Sequence, residues 1–138
     1  MSEENVEIVR RLYEAADRRD AEAVLALYDE GVEVDNTHGP ARAFLGGSGT
    51  YHGHEGLRTF FRDWHEAWDN VESNLGELID AGERVISVHA YRGRGRASGI
   101  EVEWPDLGGI WTIRDGTVIS IRWFPTRNEA LEAAGLSE

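Results

Sequence analysis

The residues best suited to acid–base chemistry in this sequence are an aspartate and several histidines near apolar, strand-like segments. Asp35 ends the alternating segment Val32–Asp35, and His38 follows three residues later. His89 lies within the apolar stretch Val85–Tyr91, so it either faces a polar cavity or forms hydrogen bonds within the core or on the sheet surface. An imidazole titrates near neutral pH, so an inward His89 could act as a general base or acid. Asp35 and His89 are therefore the candidate catalytic residues.

A second group of polar side chains, Tyr51-His-Gly-His-Glu-Gly56, has the composition of a metal site. His-x-His pairs bind metal ions when both residues lie on one face of a strand. Here two glycines flank His54 and Glu55, which is typical of a turn that opens into a helix. Residues in the first turn of a helix meet free backbone N–H groups. We therefore expect no metal ion at His38, His52 and His54, and no organic cofactor.

Aromatic residues that could line a pocket follow this turn. Apolar residues at i, i+3, i+4, i+7 and i+11 predict one helix face with two indoles: Leu57, Phe60, Phe61, Trp64 and Trp68. Trp111 and Trp123 lie on neighbouring strands of a predicted hairpin, and Ile121 shares the parity of Trp123. These side chains either wall a cavity for a flat, apolar ligand or pack in an ordinary core.

Composition excludes several classes of protein. The 138 residues predict a single domain over 1–138, and the hydrophobic fraction of 41% and charged fraction of 29% are those of a globular protein. A net charge of −12 argues against a nucleic-acid partner, although Arg92-Gly-Arg-Gly-Arg96 is locally basic. No apolar run is long enough for a membrane span, and the acidic N-terminus lacks the plan of a signal peptide. With no cysteine, we expect cytoplasmic residence.

The elements that must position these residues run from helices to strands. Apolar spacing predicts a first helix that ends at Asp17–Asp20, a second, short helix that ends at Gly31, the strand Val32–Asp35, and then the aromatic helix. The glycine-rich residues 36–50 predict a long loop of the kind that is usually functional or mobile. Four further strands and a terminal helix are predicted at Val71–Ala81, Arg84–Gly93, Gly99–Arg114, Thr117–Phe124 and Asn128–Ala134.

This order predicts an α+β fold. Local pairing of the four late strands gives a strongly curved antiparallel sheet, which forms a cone-shaped barrel around the three helices of the N-terminal half. A short C-terminal helix completes the chain, and we expect all the helices on one face of the sheet. The third late strand is long enough to need a bulge, near Pro105 or at Gly108-Gly109.

The whole chain resembles the SnoaL-like branch of the nuclear transport factor 2-like superfamily, which includes ketosteroid isomerases and polyketide cyclases. The resemblance is carried by Glu4–Tyr13, Tyr51–Gly56, Leu78–Val85 and Trp111–Val118. These motifs are specific for the fold. They imply no single reaction, because the fold hosts isomerases, dehydratases, epoxide hydrolases and non-enzymatic binding modules.

The resemblance also implies roles for individual positions. Tyr13 matches the tyrosine that donates to an oxyanion in ketosteroid isomerases; the alternative is a core residue whose hydroxyl is satisfied at the rim. The isomerase base corresponds to Asn36, an amide that cannot abstract a proton; Asp35 lies one residue earlier and on the opposite face. The carboxylic acid of the isomerases falls near Gly109, which has no side chain. Steroid isomerisation by the known triad is therefore disfavoured.

Two hypotheses from different classes follow. The first is a cofactor-independent isomerase, cyclase, lyase or hydrolase for an apolar carbonyl- or hydroxyl-bearing molecule, with Asp35 or His89 as base and Tyr13 as donor. It fails if Asp35 and His89 both point to solvent. The second is a non-catalytic module for ligand binding or dimerisation. The residues predicted to line the pocket are Asn36, His38, Trp64, Trp68, Trp111, Ile121 and Trp123. The resemblance further implies a homodimer through the outer sheet face.

Overall fold

The computed structural model describes residues 2–39 and 49–136, so residues 40–48 of the predicted loop lie outside the described part. The helices in these ranges are α1 (Ser2–Asp17), α2 (Ala21–Ala26), α3 (Gly53–Ala67) and α4 (Arg127–Ala133). The strands are β1 (Tyr28–Asp35), β2 (Thr50–His52), β3 (Trp68–Ala81), β4 (Arg84–Gly95), β5 (Glu101–Arg114) and β6 (Thr117–Phe124). No helix among the described residues is long and apolar enough to cross a membrane.

The strands form one curved, unclosed sheet in the order β2-β1-β6-β5-β4-β3. Strands β3 to β6 pair in sequence as an antiparallel meander, and β1 joins the sheet parallel to β6. The predicted α+β cone is confirmed. The predicted bulge is also confirmed at its first position: His89 pairs with Leu107 and Tyr91 with Trp104, which leaves an extra residue on β5 around Pro105.

Helices α1 and α3 fill the concave face of the sheet. Val9 and Leu12 of α1 and Leu57 of α3 pack with Val85 and Ile121 of the sheet in the largest buried cluster. Each of these side chains is at most 3% exposed, and burial of one such side chain stabilises the fold by about 1.5–3 kcal/mol. This packing holds the inward faces of α1, α3 and the sheet at fixed positions, which is the requirement for a preformed cavity.

The C-terminal helix lies on the other face of the sheet, so the expectation that all helices share one face is wrong. Ala130 and Leu131 of α4 pack with Ile86, Ile110 and Phe124, whose side chains alternate with the inward ones. Gly108 allows this approach, since a Cβ there would lie 2.6 Å from the Cβ of Ala130. The apolar residues of the convex face need a cover, and α4 supplies it.

Several boundaries differ from prediction, and the short strand β2 lies where a loop and a turn were predicted. Two of the differences have tertiary reasons. The second helix ends at Ala26, and β1 begins at Tyr28 because its backbone pairs with β6 at Val118. Gly31 therefore lies within a strand. Trp68 is the first residue of β3 rather than the last residue of the aromatic helix, and it pairs with Gly95. Sequence periodicity could not separate the two elements, because an inward residue continues the apolar pattern in either.

Candidate functional site

A cavity of about 650 Å³ lies between α1, α3 and the concave face of the sheet. This volume is in the range of sites for small organic molecules. Its inner lining consists of one phenol from α1, three aromatic side chains from α3, one amide after β1 and five side chains from the sheet: Tyr13, Phe60, Phe61, Trp64, Asn36, Trp68, His89, Tyr91, Leu107 and Trp123. Charged residues, among them Asp17, Arg19, Asp69 and Arg96, also line it.

A chain of hydrogen bonds lies at the inner end of this cavity. The hydroxyl of Tyr13 is 2.8 Å from Nδ1 of His89 and 2.9 Å from Oγ of Ser87. The indole N–H of Trp111 donates to the same Oγ at 2.8 Å. Ser87 is fully buried and His89 is 7% exposed. The chain therefore links α1 to two strands through polar atoms largely withdrawn from water.

The burial of these residues keeps them uncharged at neutral pH. Desolvation lowers the pKa of His89 from 6.5 to about 4. Desolvation also raises the pKa of Tyr13 well above its usual value, and the hydrogen bond with Ser87 opposes that rise only in part. A neutral imidazole and a neutral phenol are therefore the species that face a bound molecule. They can donate or accept hydrogen bonds, but neither is a strong base at pH 7.

Asn36 is the second buried polar residue of the cavity. Its side chain is 2% exposed, and its backbone N–H donates to the carbonyl of Gly49 at 2.6 Å. A Cβ at Gly39 would lie 1.6 Å from Oδ1 of Asn36, so only glycine leaves room for the amide in this position. Within the described part of the chain, Nδ2 has no hydrogen-bond partner. Asn36 is thus a buried amide of the cavity lining whose Nδ2 has no hydrogen-bond partner among the described residues.

Asp35 points away from the cavity, which removes the geometric basis for its predicted role as a base. Its carboxylate accepts hydrogen bonds from the backbone N–H and hydroxyl of Thr37 and lies 3.8 Å from Nε of Arg122. Partial burial by itself would raise the pKa of this carboxyl, but the bonds from Thr37 and the charges of Arg122 and His38 together lower it. Because successive side chains along a strand point to opposite faces, the Asn36 side chain points toward the cavity and the Asp35 side chain points away from it.

Gly109 occupies the cavity face of β5, next to the hydrogen-bonded chain. A Cβ at this position would lie 2.8 Å from Oγ of Ser87, 2.9 Å from the indole of Trp123 and 3.0 Å from Nε1 of Trp111. The space that a carboxylic acid would need is occupied by the two indoles and the serine hydroxyl. The isomerase acid is therefore excluded by packing as well as by residue type.

The aromatic wall is held together by edge-to-face contacts and one buried hydrogen bond. Nε1 of Trp64 donates to the Tyr91 hydroxyl at 2.7 Å, and the two ring centroids are 5.1 Å apart. Trp68 packs edge-on against Trp64 at 5.8 Å. Burial raises the pKa of Tyr91 to about 12, despite the opposing bond from Trp64. The wall is neutral and largely apolar.

The remaining predicted pocket residues occupy different places. Trp111 is buried beside Trp123, with ring centroids 5.6 Å apart, and supports the lining from behind. Ile121 is 1% exposed and belongs to the core. The ring of His38 stacks on Phe124, 6.1 Å away on the convex side. Of the predicted set, Asn36, Trp64, Trp68 and Trp123 line the cavity.

The other histidines do not come together. Nε2 of His54 is 2.9 Å from the carbonyl oxygen of Tyr28, which ties α3 to β1. His52 is exposed and lies 4.0 Å from the carboxylate of Glu33. His65 contacts the backbone carbonyl of Phe61 at 2.7 Å. Among the described residues, no group of three or more acidic or histidine side chains could hold a metal ion.

The basic segment at the end of β4 forms ion pairs with the edge strand β3. Arg92 lies 2.6 Å from the carboxylate of Glu72, and Arg96 lies 3.1 Å from that of Asp69. Arg96 also donates to the backbone carbonyls of His65 and Glu66 at the end of α3. These arginines therefore fix the junction between α3 and β3 beside the cavity.

Sequence reasoning missed Ser87, which joins Tyr13 to Trp111. A signal was present: Ser87 and His89 are two polar residues spaced by two in an otherwise apolar strand, so they share a face. Tyr91, two residues further, extends that face into the cavity. A run of polar groups on one parity of a buried strand indicates a polar network or cavity rather than a plain core.

Comparison with known proteins identifies the family and the fold. The sequence model of the SnoaL-like domain family matches residues 9–121 of this chain. An NTF2-like protein from Burkholderia xenovorans is 30% identical over 90% of each chain, with a TM-score of 0.74. An NTF2-like protein of unknown function from Burkholderia pseudomallei is 25% identical, over 94% of this chain and 95% of that one, with a TM-score of 0.76.

A third structure with the same fold contains a ligand. TerC, co-crystallised with polyporic acid, is 23% identical to this chain over 94% of it and 96% of TerC, with a TM-score of 0.74. At this identity the likeness concerns the fold alone. No curated protein matches the sequence significantly.

Proposed function

Because the chain belongs to the SnoaL-like domain family, we propose that it binds a flat, apolar small molecule whose carbonyl or hydroxyl oxygen lies against His89. The observation that carries the proposal is the uncharged Tyr13–His89 pair at the inner end of an aromatic cavity of about 650 Å³. Such pairing of a few polar groups with an apolar lining is the usual composition of a small-molecule site.

The shape of the ligand follows from the walls. Phe60 and Trp64 stack with ring centroids 6.3 Å apart on α3, and Trp123 faces them from the sheet beside His89, at 5.6 Å. Ring systems favour a planar partner in stacked or edge-on contact. The co-crystallisation of TerC with polyporic acid supports a small-molecule role for this fold.

For catalysis, the proposed chemistry is polarisation of a carbonyl group by the neutral Tyr13–His89 pair. A donor placed at an oxygen that gains negative charge stabilises an enolate-like transition state, while the proton lost from the adjacent carbon passes to solvent water. This is the chemistry of a cofactor-independent isomerase, cyclase, lyase or hydrolase. The second candidate, a non-catalytic binding module, is favoured by the inward Asn36 and the outward Asp35, because an amide stands at the base position of the isomerases and the neighbouring carboxylate faces Arg122.

Binding is tested with 2-acetylnaphthalene, an apolar aromatic ketone, by isothermal titration calorimetry. Ala16 is an exposed residue of α1 that lines the cavity, so Ala16→Trp should obstruct it without disturbing the core. Ala26→Trp, at an exposed site on α2, is the matched control. We expect binding that weakens at least tenfold in Ala16→Trp and is unchanged in the control. Absent binding, or equal binding in the two variants, contradicts the proposal.

The two candidates are separated by hydrogen exchange at the carbon next to the carbonyl of the bound ketone in D₂O, followed by NMR. An enzyme of the proposed kind accelerates exchange, and Tyr13→Phe and His89→Gln reduce that acceleration. If the wild type binds the ketone without accelerating exchange, the binding module is the correct function.

We further infer a homodimer through the outer sheet face. Helix α4 covers Ile86, Ile110 and Phe124, so the surface available for association is the part of the outer face that α4 leaves uncovered. Closed twofold pairing of such a face is the commonest form of a small homo-oligomer. Sedimentation should show a dimer at micromolar concentration, and a monomer there would contradict the inference.

A further inference from the structure

We propose that the polar end of the cavity consists of two uncharged N–H donors, Nε2–H of His89 and the amide Nδ2 of Asn36. The part of the ligand that lies against these two donors must then supply oxygen acceptors, as a ketone or enolate does. This inference rests on the proposed small-molecule function and specifies which chemistry the same site recognises.

The hydrogen bonds among Trp111, Ser87, Tyr13 and His89 indicate which ring nitrogen of His89 carries the proton. Trp111 Nε1 can only donate, so Oγ of Ser87 accepts from it. The Tyr13 and Ser87 hydroxyls lie 2.9 Å apart, and either hydroxyl can donate to the other. If Ser87 donates to Tyr13, and Tyr13 donates to Nδ1 of His89, both hydroxyls and the Trp111 N–H have an acceptor within these four residues. Nδ1 of His89 is unprotonated in this arrangement. The proton of the neutral ring therefore resides on Nε2.

The opposite arrangement is less favourable. If Nδ1–H of His89 donated to Tyr13, the Tyr13 hydroxyl would donate to Ser87. Ser87 would then accept from both Tyr13 and Trp111, and its own proton would have no partner among the described contacts. Ser87 is fully buried, and an unpaired buried donor costs about 1–3 kcal/mol. The chain therefore selects the Nε2–H tautomer.

The ring that carries this proton faces the ligand. His89 lines the cavity, and its Nδ1 is occupied by Tyr13, which leaves Nε2 for a bound molecule. Desolvation lowers the pKa of His89 to about 4, so the ring is neutral at pH 7. It offers one N–H in a direction set by the Tyr13 bond and by the edge-on contact with Trp123 at 5.6 Å.

Asn36 supplies the second donor. Its side chain is 2% exposed and lines the cavity. Its Nδ2 has no hydrogen-bond partner among the described residues. Asn36 directly follows Asp35, the last residue of β1 that pairs with β6. Trp123 contacts His89, and all three residues, Asn36, His89 and Trp123, line the same cavity. A planar ligand on the Trp123 indole therefore lies in the cavity that both donors line.

This arrangement discriminates by chemistry. Fixed donors in a site of low polarity stabilise a carbonyl oxygen and any negative charge that develops on it. A ligand without an acceptor leaves both buried donors unpaired, and that penalty lowers its affinity. Sites built to hydrogen-bond a substrate reject analogues that lack the group for this reason.

Matched probes test the donors. 2-Acetylnaphthalene and 2-isopropenylnaphthalene have nearly the same shape, but the second has a methylene group in place of the carbonyl oxygen. We expect calorimetry to show at least tenfold tighter binding of the ketone to the wild type. The preference should fall in Asn36→Leu and in His89→Phe, which keep the apolar volume. Equal binding of the two probes would overturn the donor proposal while leaving small-molecule binding intact.

The tautomer is tested without any ligand or mutation. ¹H–¹⁵N correlation spectra of the His89 side chain at pH 7 should show a protonated-type Nε2 and an unprotonated-type Nδ1. Tyr13→Phe removes the donor to Nδ1 and should shift both nitrogens toward a mixture of tautomers. A protonated Nδ1 in the wild type would overturn the inference. This measurement decides the point even if neither naphthalene binds, an outcome that would count against the proposed function itself.

Discussion

The buried His89 makes the stability of the fold depend on pH in a way that can be isolated from all other groups. Desolvation lowers the folded-state pKa of His89 from 6.5 to about 4. Between these values the unfolded chain binds a proton that the folded chain does not. Stability is therefore unaffected by His89 above about pH 6.5, falls as the pH decreases through that range, and reaches its full penalty below pH 4.

The magnitude follows from the same two values. A difference from 6.5 to about 4 corresponds to roughly 3 kcal/mol when complete, of which about 2 kcal/mol is present at pH 5. His89 is 7% exposed, so screening by solvent reduces this figure little. In a protein with a typical stability of about 5–15 kcal/mol, a loss of this size is readily measured.

The assay is urea unfolding of the wild type and His89→Gln at pH 7.5 and pH 5. Glutamine does not titrate, so the variant should lose about 2 kcal/mol less than the wild type between the two pH values. His52→Gln is the matched control, because the His52 side chain is 74% exposed, and it should follow the wild type. If His89→Gln and the wild type lose stability in parallel, burial does not depress the pKa of His89 and the reasoning about a neutral ring is refuted.

Three further predictions concern neighbouring positions. Gly109→Ala should lower the free energy of unfolding in urea by about 1–3 kcal/mol, because the added Cβ meets three atoms within 3.0 Å. Gly93→Ala, whose Cβ would have its nearest atom at 3.5 Å, should lower it clearly less. Equal losses in the two variants would contradict the packing around Gly109. Asn36→Asp places a carboxyl group in a buried position, and burial raises its folded-state pKa. The free energy of unfolding of this variant should therefore fall furthest below that of the wild type at pH 7.5, and the difference should shrink toward pH 4.5. A difference that does not change with pH would contradict this. Asp35→Ala should leave the affinity for 2-acetylnaphthalene within twofold by calorimetry. Because the folded-state pKa of Asp35 is lowered, the stability difference between that variant and the wild type should close as the pH falls into the acid range.

Much of the architecture was predictable because helix and strand periodicities differ. The face of Leu57, Phe60 and Trp64 and the alternation of β4 to β6 led to the correct elements, and the extra residue at Pro105 was expected from the length of β5. The boundaries at Tyr28 and Trp68 were not predictable in this way. Both residues are inward-facing, and only pairing with β6 or β4 decides that their backbone is extended.

The site was predictable only in its residue types. The choice between Asp35 and Asn36 depended on which parity of β1 faces the helices, and alternation by itself defines two faces without saying which is inner. For His89 both alternatives, a cavity residue and a hydrogen-bonded core residue, were open; the structure combines them, since the ring lines the cavity and bonds to Tyr13. The spacing of Ser87 and His89 shows that they share a face of the strand, but only the structure shows that Ser87 contacts Tyr13 and Trp111.

The sequence by itself determined the family, the α+β cone, the absence of a side chain at position 109 and the replacement of a carboxylate by an amide at position 36. These features follow from residue identity and from the spacing of apolar side chains along each helix and strand, which repeats every few residues. Tertiary structure alone decided that Tyr13 meets Ser87 and His89, and that Asp35 turns to Arg122. Partners separated by more than 70 residues come together only when the sheet curves around α1. Their protonation then depends on burial, which no local pattern encodes.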